Sequence, residues 1–410
     1  MHNYKIIKSL KNNLITYTFC ILSICLYLGI LSVTLSIILL TISSIIFFNK
    51  QNIKNKFNSP IILIALIFII YLISSFYSTN KDIAYSDILQ KLSLLIFPVI
   101  YIINNFKKIN ILIILKTFVF TSSAFASFLI IRTFYLYLIN NSYYMFYENF
   151  SYYLHPTYLS MYFLFALSVV FYLLFKAKQN KNIKILLLIS SITIITGILF
   201  CESKISYFIL LILIVFSTII LWKKIQNKIL RFGILIIFIA LSLVVYNDRR
   251  INNMIKHISN YQKVINNKNT DSSTGMRIQI LLSCKNIINN NLLFGVGNGD
   301  VKKTLIDEYQ KQGLNNLVKH KYNTHNQFIE TFIATGIIGF GLLLLVFIIP
   351  FIQAVKYKNY LVQYFLIIIF LNFMFESMLN RQAGVVFFAF FYILLIGDMN
   401  ITKHSLQKNI

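Results

Sequence analysis

Apolar runs long enough to cross a bilayer recur along most of the chain, and this limits what it can fold into. A helix rises 1.5 Å per residue, so about 20 apolar residues span a hydrocarbon core of roughly 30 Å. Spans are expected at Leu14 to Ile30, Leu31 to Phe48, Pro60 to Ser75, Leu89 to Ile103, Ile111 to Ile131, Thr157 to Phe175, Ile183 to Phe200, Ser206 to Leu221, Ile229 to Tyr246, Asn326 to Ile352, Leu361 to Met378 and Ala383 to Ile396. This is an all-α polytopic membrane protein with about twelve transmembrane helices. Several runs are short and the first two are tightly connected, so eleven is the other count. The chain is only 12% charged with a mean hydropathy of +0.72, whereas a soluble domain carries about 25% charge.

Lysine placement orients the bundle, because short cytoplasmic loops retain positive charge. Lys5, Lys8 and Lys11 precede the first span, Lys50, Lys54 and Lys56 follow the second, and Lys107 and Lys108 follow the fourth. Basic residues recur at 176–184, 223–231, 356–358 and 403–408, so every second connection is basic. The intervening connections, such as Phe76 to Ile88 and Asn140 to Pro156, are rich in Tyr, Asn and Ser. Both termini are therefore expected in the cytoplasm. Residues 1–246 form helices one to nine, 247–325 a large outer loop, and 326–410 the last three helices, in one integrated membrane domain. The first apolar run continues into a second helix without a small-residue cleavage site, so no cleavable signal peptide is expected.

A net charge of +26 raises the question of nucleic acid, but lysines at cytoplasmic helix ends serve insertion and meet anionic membrane lipids. No nucleic-acid partner is expected. The outer loop differs: its twelve Lys and Arg, among them Arg249, Arg277, Lys302 and Lys321, outnumber five acids. Long loops translocate largely regardless of charge, so this excess points to an anionic partner outside, such as a diphosphate or a phosphorylated lipid surface. Cys201 and Cys284 fall on the outer side, where a disulfide is one option. No Cys or His spacing suits a metal, and no cofactor is implied.

The loop reads as helical pieces joined by turns. Met254 to Ile265 and Arg277 to Ile288 show apolar spacings of three and four, and Asp271-Ser272-Ser273-Thr274-Gly275 supplies a cap that puts Arg277 in a first turn. By periodicity alone Arg277 is a solvated helix residue or a member of a surface salt bridge. Gly295-Val296-Gly297-Asn298-Gly299-Asp300 is a glycine-rich turn. With no strand-and-helix unit around it, it reads as a structural turn seating the helix of Arg277 on the membrane. The span from Asn326 to Ile352 would be about 40 Å long, so its first turns stand out of the lipid with His325 at the N-terminus. Asn326 and Glu330 share a face there, and Thr335, Gly336 and Gly339 admit a close neighbour helix.

These residues together resemble the O-antigen ligase and O-antigen polymerase superfamily. That family carries His followed by Asn, Ser or Gln, nine residues, then Gly-x-x-Gly, matched by His325, Asn326, Gly336 and Gly339. It carries an earlier Arg-x-x-x-Leu, matched by Arg277 and Leu281, and then a Gly-x-Gly turn, matched by Gly295 and Gly297. The motifs cover Thr274 to Gly341, and the twelve-helix layout extends the likeness over the whole chain. Where the family usually has Arg before the loop, this chain has Lys204. Lysine keeps the charge but loses the bidentate fork that grips phosphate oxygens.

The resemblance implies a metal-independent, inverting glycosyltransferase at the periplasmic face of the bacterial inner membrane. Its donor would be an undecaprenyl diphosphate-linked glycan, and its acceptor a lipid A-core sugar hydroxyl in a ligase or a second lipid-linked glycan in a polymerase. Attack by a hydroxyl needs a base, and histidine, with an ordinary pKa of about 6.5, suits neutral pH; His325 is the candidate. Arg277, with Lys204 assisting, would meet the charge on the departing diphosphate. Two other spots are polar. The stretch around His155 opens the sixth helix with aromatics that either stack on sugars or form an interfacial belt. Glu376, Asn380 and Arg381 end the eleventh helix, with Glu376 and Arg381 either pairing or lining the donor site. A polysaccharide flippase or transporter shares the twelve-helix layout, but transporters show two related halves, whereas here the large loop divides the chain nine plus three.

Overall fold

The structure is a computed structural model that describes residues 2–46, 48, 59–104, 106–140, 144–176, 179–222, 252 and 272–407; there is no strand among them. Its helices are α1 (His2–Cys25), α2 (Ile30–Ile46), α3 (Ile61–Tyr77), α4 (Lys81–Lys91), α5 (Ser93–Ile103), α6 (Ile111–Ile139), α7 (Glu148–Ser151), α8 (Pro156–Lys176), α9 (Lys181–Phe200), α10 (Lys204–Trp222), α11 (Ser273–Asn290), α12 (Val301–Gln312), α13 (Asn315–His320), α14 (Gln327–Lys356), α15 (Tyr360–Phe375) and α16 (Gln382–Gln407). Among the described residues six helical stretches, with Lys81–Ile103 taken as one, are long and apolar enough to cross a membrane, and five shorter apolar helices accompany them. The protein is thus an all-α, multi-pass membrane protein. The expected ninth span, Ile229 to Tyr246, and the loop helix Met254 to Ile265 lie outside the described residues.

Contacts between connections sort the helix ends into two sets. At one end, Gln382 donates to Thr34 (2.9 Å), Gln90 to the Asn380 carbonyl (2.7 Å) and the Tyr147 amide to the Phe200 carbonyl (3.0 Å). This joins the start of α2 to that of α16, α4 to the turn between α15 and α16, and the segment before α7 to the end of α9. At the other end the Asn110 amide donates to Thr16 (3.2 Å), and Asn400 donates to Ser59 (2.8 Å). The first set holds the lysine-poor connections and the second holds the basic ones.

Within a bilayer, helices associate through van der Waals packing and polar contacts, since lipid is as apolar as leucine. α16 and α8 supply the centre. Every residue from Val385 to Ile396 is buried, and Phe387, Phe388 and Phe391 meet Phe118, Phe165, Phe347 and Phe373 at centroid distances of 4.7 to 6.1 Å, while Phe390 meets Phe19 (5.9 Å) and Phe97 (6.0 Å). Tyr162 stacks on Phe387 at 4.3 Å. Hydroxyl pairs add polar contacts between helices, among them Tyr27 with Ser122 (2.6 Å) and Ser160 with Ser206 (2.5 Å). Peripheral helices turn apolar residues outward, such as Leu35, Ile38 and Ile42 on α2 and Ile185, Leu188 and Ile192 on α9, the surface that lipid requires.

Three boundaries differ from the sequence expectation. The connection Phe76 to Ile88 is helical from Lys81, because Asn80 caps α4 by accepting from the Ile83 amide (3.2 Å) and Asp82 sits in its first turn. α11 begins at Ser273, with Ser272 accepting from the Gly275 amide (3.0 Å), so Arg277 is its fifth residue and lies beyond the first turn. α14 is not one straight rod: Gly336 (φ 67°, ψ −164°) breaks it.

Candidate active site

The break in α14 explains why the chain needs two glycine motifs. At Gly336 the helix opens, and the turn after α11 fills the gap. The Val296 amide donates to the Ile333 carbonyl (2.8 Å), the Gly297 amide to the Ala334 carbonyl (3.0 Å), and the Ile337 amide to the Leu292 carbonyl (2.9 Å). A Cβ at Gly336 would lie 2.1 Å from the Leu293 carbonyl oxygen, and one at Gly295 would lie 2.4 Å from that of Ile333. The close neighbour at Gly336 is therefore this turn rather than a helix. Gly339 meets its own Thr335 side chain, with Ile70 of α3 next to it. The rest of the glycine-rich turn is tied to the α3–α4 connection. Asp300 accepts from the Thr79 amide (2.5 Å), the Thr79 hydroxyl (2.6 Å) and the Asn80 amide (3.0 Å). Burial acts to raise the Asp300 carboxyl, but these donors and Lys303 overcome it and hold it below its ordinary value.

His325 stands two residues before α14 in a left-handed conformation (φ 46°), which costs roughly 1–3 kcal/mol unless its surroundings impose it. They do. Its amide donates to Asn323 (3.1 Å), and Asn326 caps α14 through the Ile329 amide (3.1 Å) while donating to the Met374 carbonyl (3.0 Å). Asn326, the motif residue next to His325, thus has its amide oxygen and nitrogen both engaged in placing the segment beside the end of α15.

That placement puts His325 Nδ1 3.2 Å from Glu376 Oε2, with the two side chains 23% and 13% exposed. Burial acts to raise the Glu376 carboxyl; the hydrogen bond and charge of His325, then the charges of Arg277 and His155, outweigh it and hold the group below the ordinary carboxylate value. A carboxylate only accepts, so the proton of this contact belongs on Nδ1 and the lone pair of a neutral imidazole is on Nε2. The expected alternative, an ion pair between Glu376 and Arg381, does not form among the described residues; Arg381 is exposed three residues before Gly384.

His155, immediately before α8, has its ring edge-on to Tyr147 (6.2 Å) and Tyr158 (6.3 Å). Crowding by protein lowers its imidazole, against the pull of Glu376 and Glu148 and with the help of Arg381 and His325. The structure thus gathers His325, Glu376, Arg277, His155 and Arg381 into one electrostatic neighbourhood. Lys204 is the first residue of α10; Ser206 in the same turn bonds Ser160 of α8, which puts Lys204 at the same end of the bundle. Cys201 and Cys284 are both free and buried, so the disulfide option is not taken. Burial raises the Cys284 thiol.

Beneath the pair lies a polar network that sequence reasoning missed. Glu330 (8% exposed) accepts from the Thr324 hydroxyl (2.7 Å) and from Asn380 Nδ2 (2.9 Å). Asn380 Oδ1 accepts from Lys91 Nζ (3.4 Å), which pairs with Asp87 and lies over the Tyr71 ring (4.7 Å). Asp87 in turn accepts from Asn298 of the glycine-rich turn (3.1 Å). The available signal was the four-residue spacing of Asp87 and Lys91, hidden by placing the boundary between connection and span between them.

Residues 189–345 match the sequence model of the family described as O-Antigen ligase, a segment that runs from α9 through His325 to the Gly336 break. A comparison with curated proteins finds no match. The matched segment, 157 of the 410 residues, carries His325, Arg277 and both glycine motifs, so this part of the multi-pass chain is similar to the O-antigen ligase family.

Proposed function

We propose that the chain transfers a glycan from an undecaprenyl diphosphate carrier to a sugar hydroxyl at the periplasmic face of the inner membrane, as an O-antigen ligase acting on lipid A-core. The observation that supports this reading is the His325–Glu376 pair with the charge of Arg277 beside it. Glu376 holds the Nδ1 proton, so Nε2 takes the proton from the acceptor hydroxyl. The freed oxygen forms its bond at the anomeric carbon, and the bond from that carbon to the diphosphate oxygen breaks with its electron pair. Arg277, assisted by Lys204, meets the charge that grows on the diphosphate. One displacement inverts the anomeric centre and needs no metal in this scheme.

The test is complementation of a deletion strain with His325→Ala and Arg277→Ala at normal protein levels. Both variants are expected to leave lipid-linked glycan outside the membrane and lipid A-core without long chains. Normal surface glycan from both refutes the roles given. A deletion strain carrying a single repeat on lipid A-core indicates the polymerase reading, and accumulation on the cytoplasmic side indicates a flippase.

A further inference from the structure

The reacting groups assigned above come from two separate chain segments. His325 belongs to the end of the outer loop, while Glu376 and Arg381 belong to the turn between α15 and α16. A 3.2 Å contact between two turns far apart in sequence holds only if something deeper fixes both turns together.

One side chain touches both. Glu330 Oε2 accepts from Thr324, the residue before His325, and Glu330 Oε1 accepts from Asn380, the residue before Arg381. Thr324 also shares a 3.0 Å hydrogen bond with Ser377, the residue after Glu376. The carboxylate is buried one helical turn inside α14, and no substrate reaches it without displacing these partners. Asn380 then passes the contact to Lys91, whose partner Asp87 accepts from Asn298 and so anchors the chain of contacts to the glycine-rich turn. Gln327 makes a parallel tie by accepting from the Leu379 amide (2.7 Å).

We propose that Glu330 is a positioning residue that clamps the His325 segment to the Glu376–Arg381 turn, and so sets the distance between base and carboxylate. The assignment rests on the catalytic reading given above for His325. Glu330 acts through Thr324 and Asn380 and does not touch substrate.

The hydrogen-bond directions supply a test by exchange. In Glu330→Gln one of the two accepting oxygens becomes an NH₂, which faces either the Thr324 hydroxyl or Asn380 Nδ2. Asn380 cannot turn to accept, because its oxygen already faces Lys91. In Asn380→Asp two carboxylates face each other. In the double variant Glu330→Gln/Asn380→Asp the new amide donates to the new carboxylate, keeps its oxygen toward Thr324, and leaves a carboxylate oxygen for Lys91.

Purified full-length variants are assayed with the lipid-linked glycan extracted from the deletion strain, reading release of undecaprenyl diphosphate per folded protein. Each single variant is expected to lower kcat about 10- to 100-fold with the donor KM within about threefold, because misplacement by ~1 Å is felt at the reacting atoms. The double variant is expected to return to within about threefold of the parent. Unchanged kcat in Glu330→Gln while His325→Ala is inactive overturns the Glu330 assignment alone. A folded double variant whose kcat stays low overturns it as well, including where a single variant fails to fold. An active His325→Ala overturns both this assignment and the reading beneath it.

Discussion

The two ends of the bundle are built on different principles. At the end that carries His325, charged groups are held by contacts that cross between elements far apart in sequence, such as His325 with Glu376 and Asn298 with Asp87. Tyr147, Tyr152, Glu202, Lys321 and His325 all take positive φ there. The opposite end has a cavity of about 480 Å³ lined by Lys108, Asn110, Tyr172, Asn359 and Asp398 among apolar residues, and Lys358 near it has the positive φ. This cavity is thus at one end, while the coupled charges and most of the positive-φ residues are at the other. Strain of this kind persists only where the surroundings over-determine it, so it marks the reacting end better than a cavity does.

The sharpest way to break this comparison is at the imidazole. His325→Ala removes the proposed base, and general-base catalysis contributes about 10²–10⁴-fold; a loss of that size in undecaprenyl diphosphate release is expected. Arg277→Ala is expected to cost about 10²–10³-fold if it meets the charge of the departing diphosphate. Arg277→Lys should recover only part, since lysine lacks the planar fork. A rate for His325→Ala within a few-fold of the parent would move the chemistry elsewhere.

Next in size is the break in α14. Gly336→Ala places a Cβ 2.1 Å from the Leu293 carbonyl oxygen at φ 67°, ψ −164°, a backbone region open almost only to glycine. The clash is with backbone that is itself hydrogen-bonded to the break, so no rotamer change relieves it. The variant is expected to lose more than the roughly 1–3 kcal/mol of the strained conformation alone, read as a lower melting temperature in detergent. Gly341→Ala is the control, because nothing lies within 4 Å of its Cβ position. Equal melting temperatures would mean that the turn from Leu292 to Gly297 is not seated as described.

What the sequence disclosed follows from how each feature is encoded. Helix passes are written locally, as apolar length, so eleven of the expected spans overlap described helices. His325 and Arg277 were visible because motif order is also a linear property. The partner of His325 was not, since Glu376 lies 51 positions away and its nearer cation, Arg381, made an equally good local pair. Glu330 was seen only as a neighbour of Asn326 on one helix face, because its bonds to Thr324 and Asn380 depend on a turn brought in by tertiary packing. The break at Gly336 was likewise hidden, as Gly-x-x-Gly within an apolar run reads as helix packing until the turn that fills it is placed.

A smaller effect separates the charge of Glu376 from its shape. Its folded carboxyl lies below the unfolded reference of about 4.3. The unfolded chain therefore binds more protons in the acid window, and the stabilisation is present above the unfolded value and lost as pH falls through the folded one. Hydrogen bonds to charged groups contribute about 1.5–3 kcal/mol. Glu376→Gln is expected to lower stability by that order at neutral pH and to flatten the loss below about pH 4. Transfer should fall about tenfold through misorientation of the imidazole. An acid limb identical in parent and variant would show that Glu376 carries no such charge coupling.

The smallest effect is expected at the opposite end, and it tests the comparison from its other side. Lys108 is exposed and Asp398 half-buried beside the cavity, and neither has a place in the chain of contacts that runs from Asp87 to Glu330. Exposed substitutions away from such features change stability by no more than about 0.5 kcal/mol, which corresponds to roughly a twofold change in an equilibrium. Lys108→Ala and Asp398→Asn are therefore expected to transfer glycan within about twofold of the parent, with donor KM unchanged. A tenfold loss of kcat in either, with the melting temperature intact, would couple the two ends through α16, which reaches from Gln382 beside the Glu376 turn to Asp398 at the cavity. Since Val385 to Ile396 between them is buried and its one polar side-chain group, the Tyr392 hydroxyl, donates to the Val346 carbonyl (2.9 Å), no polar relay runs along that helix, and only a shift of the whole helix would carry such a signal.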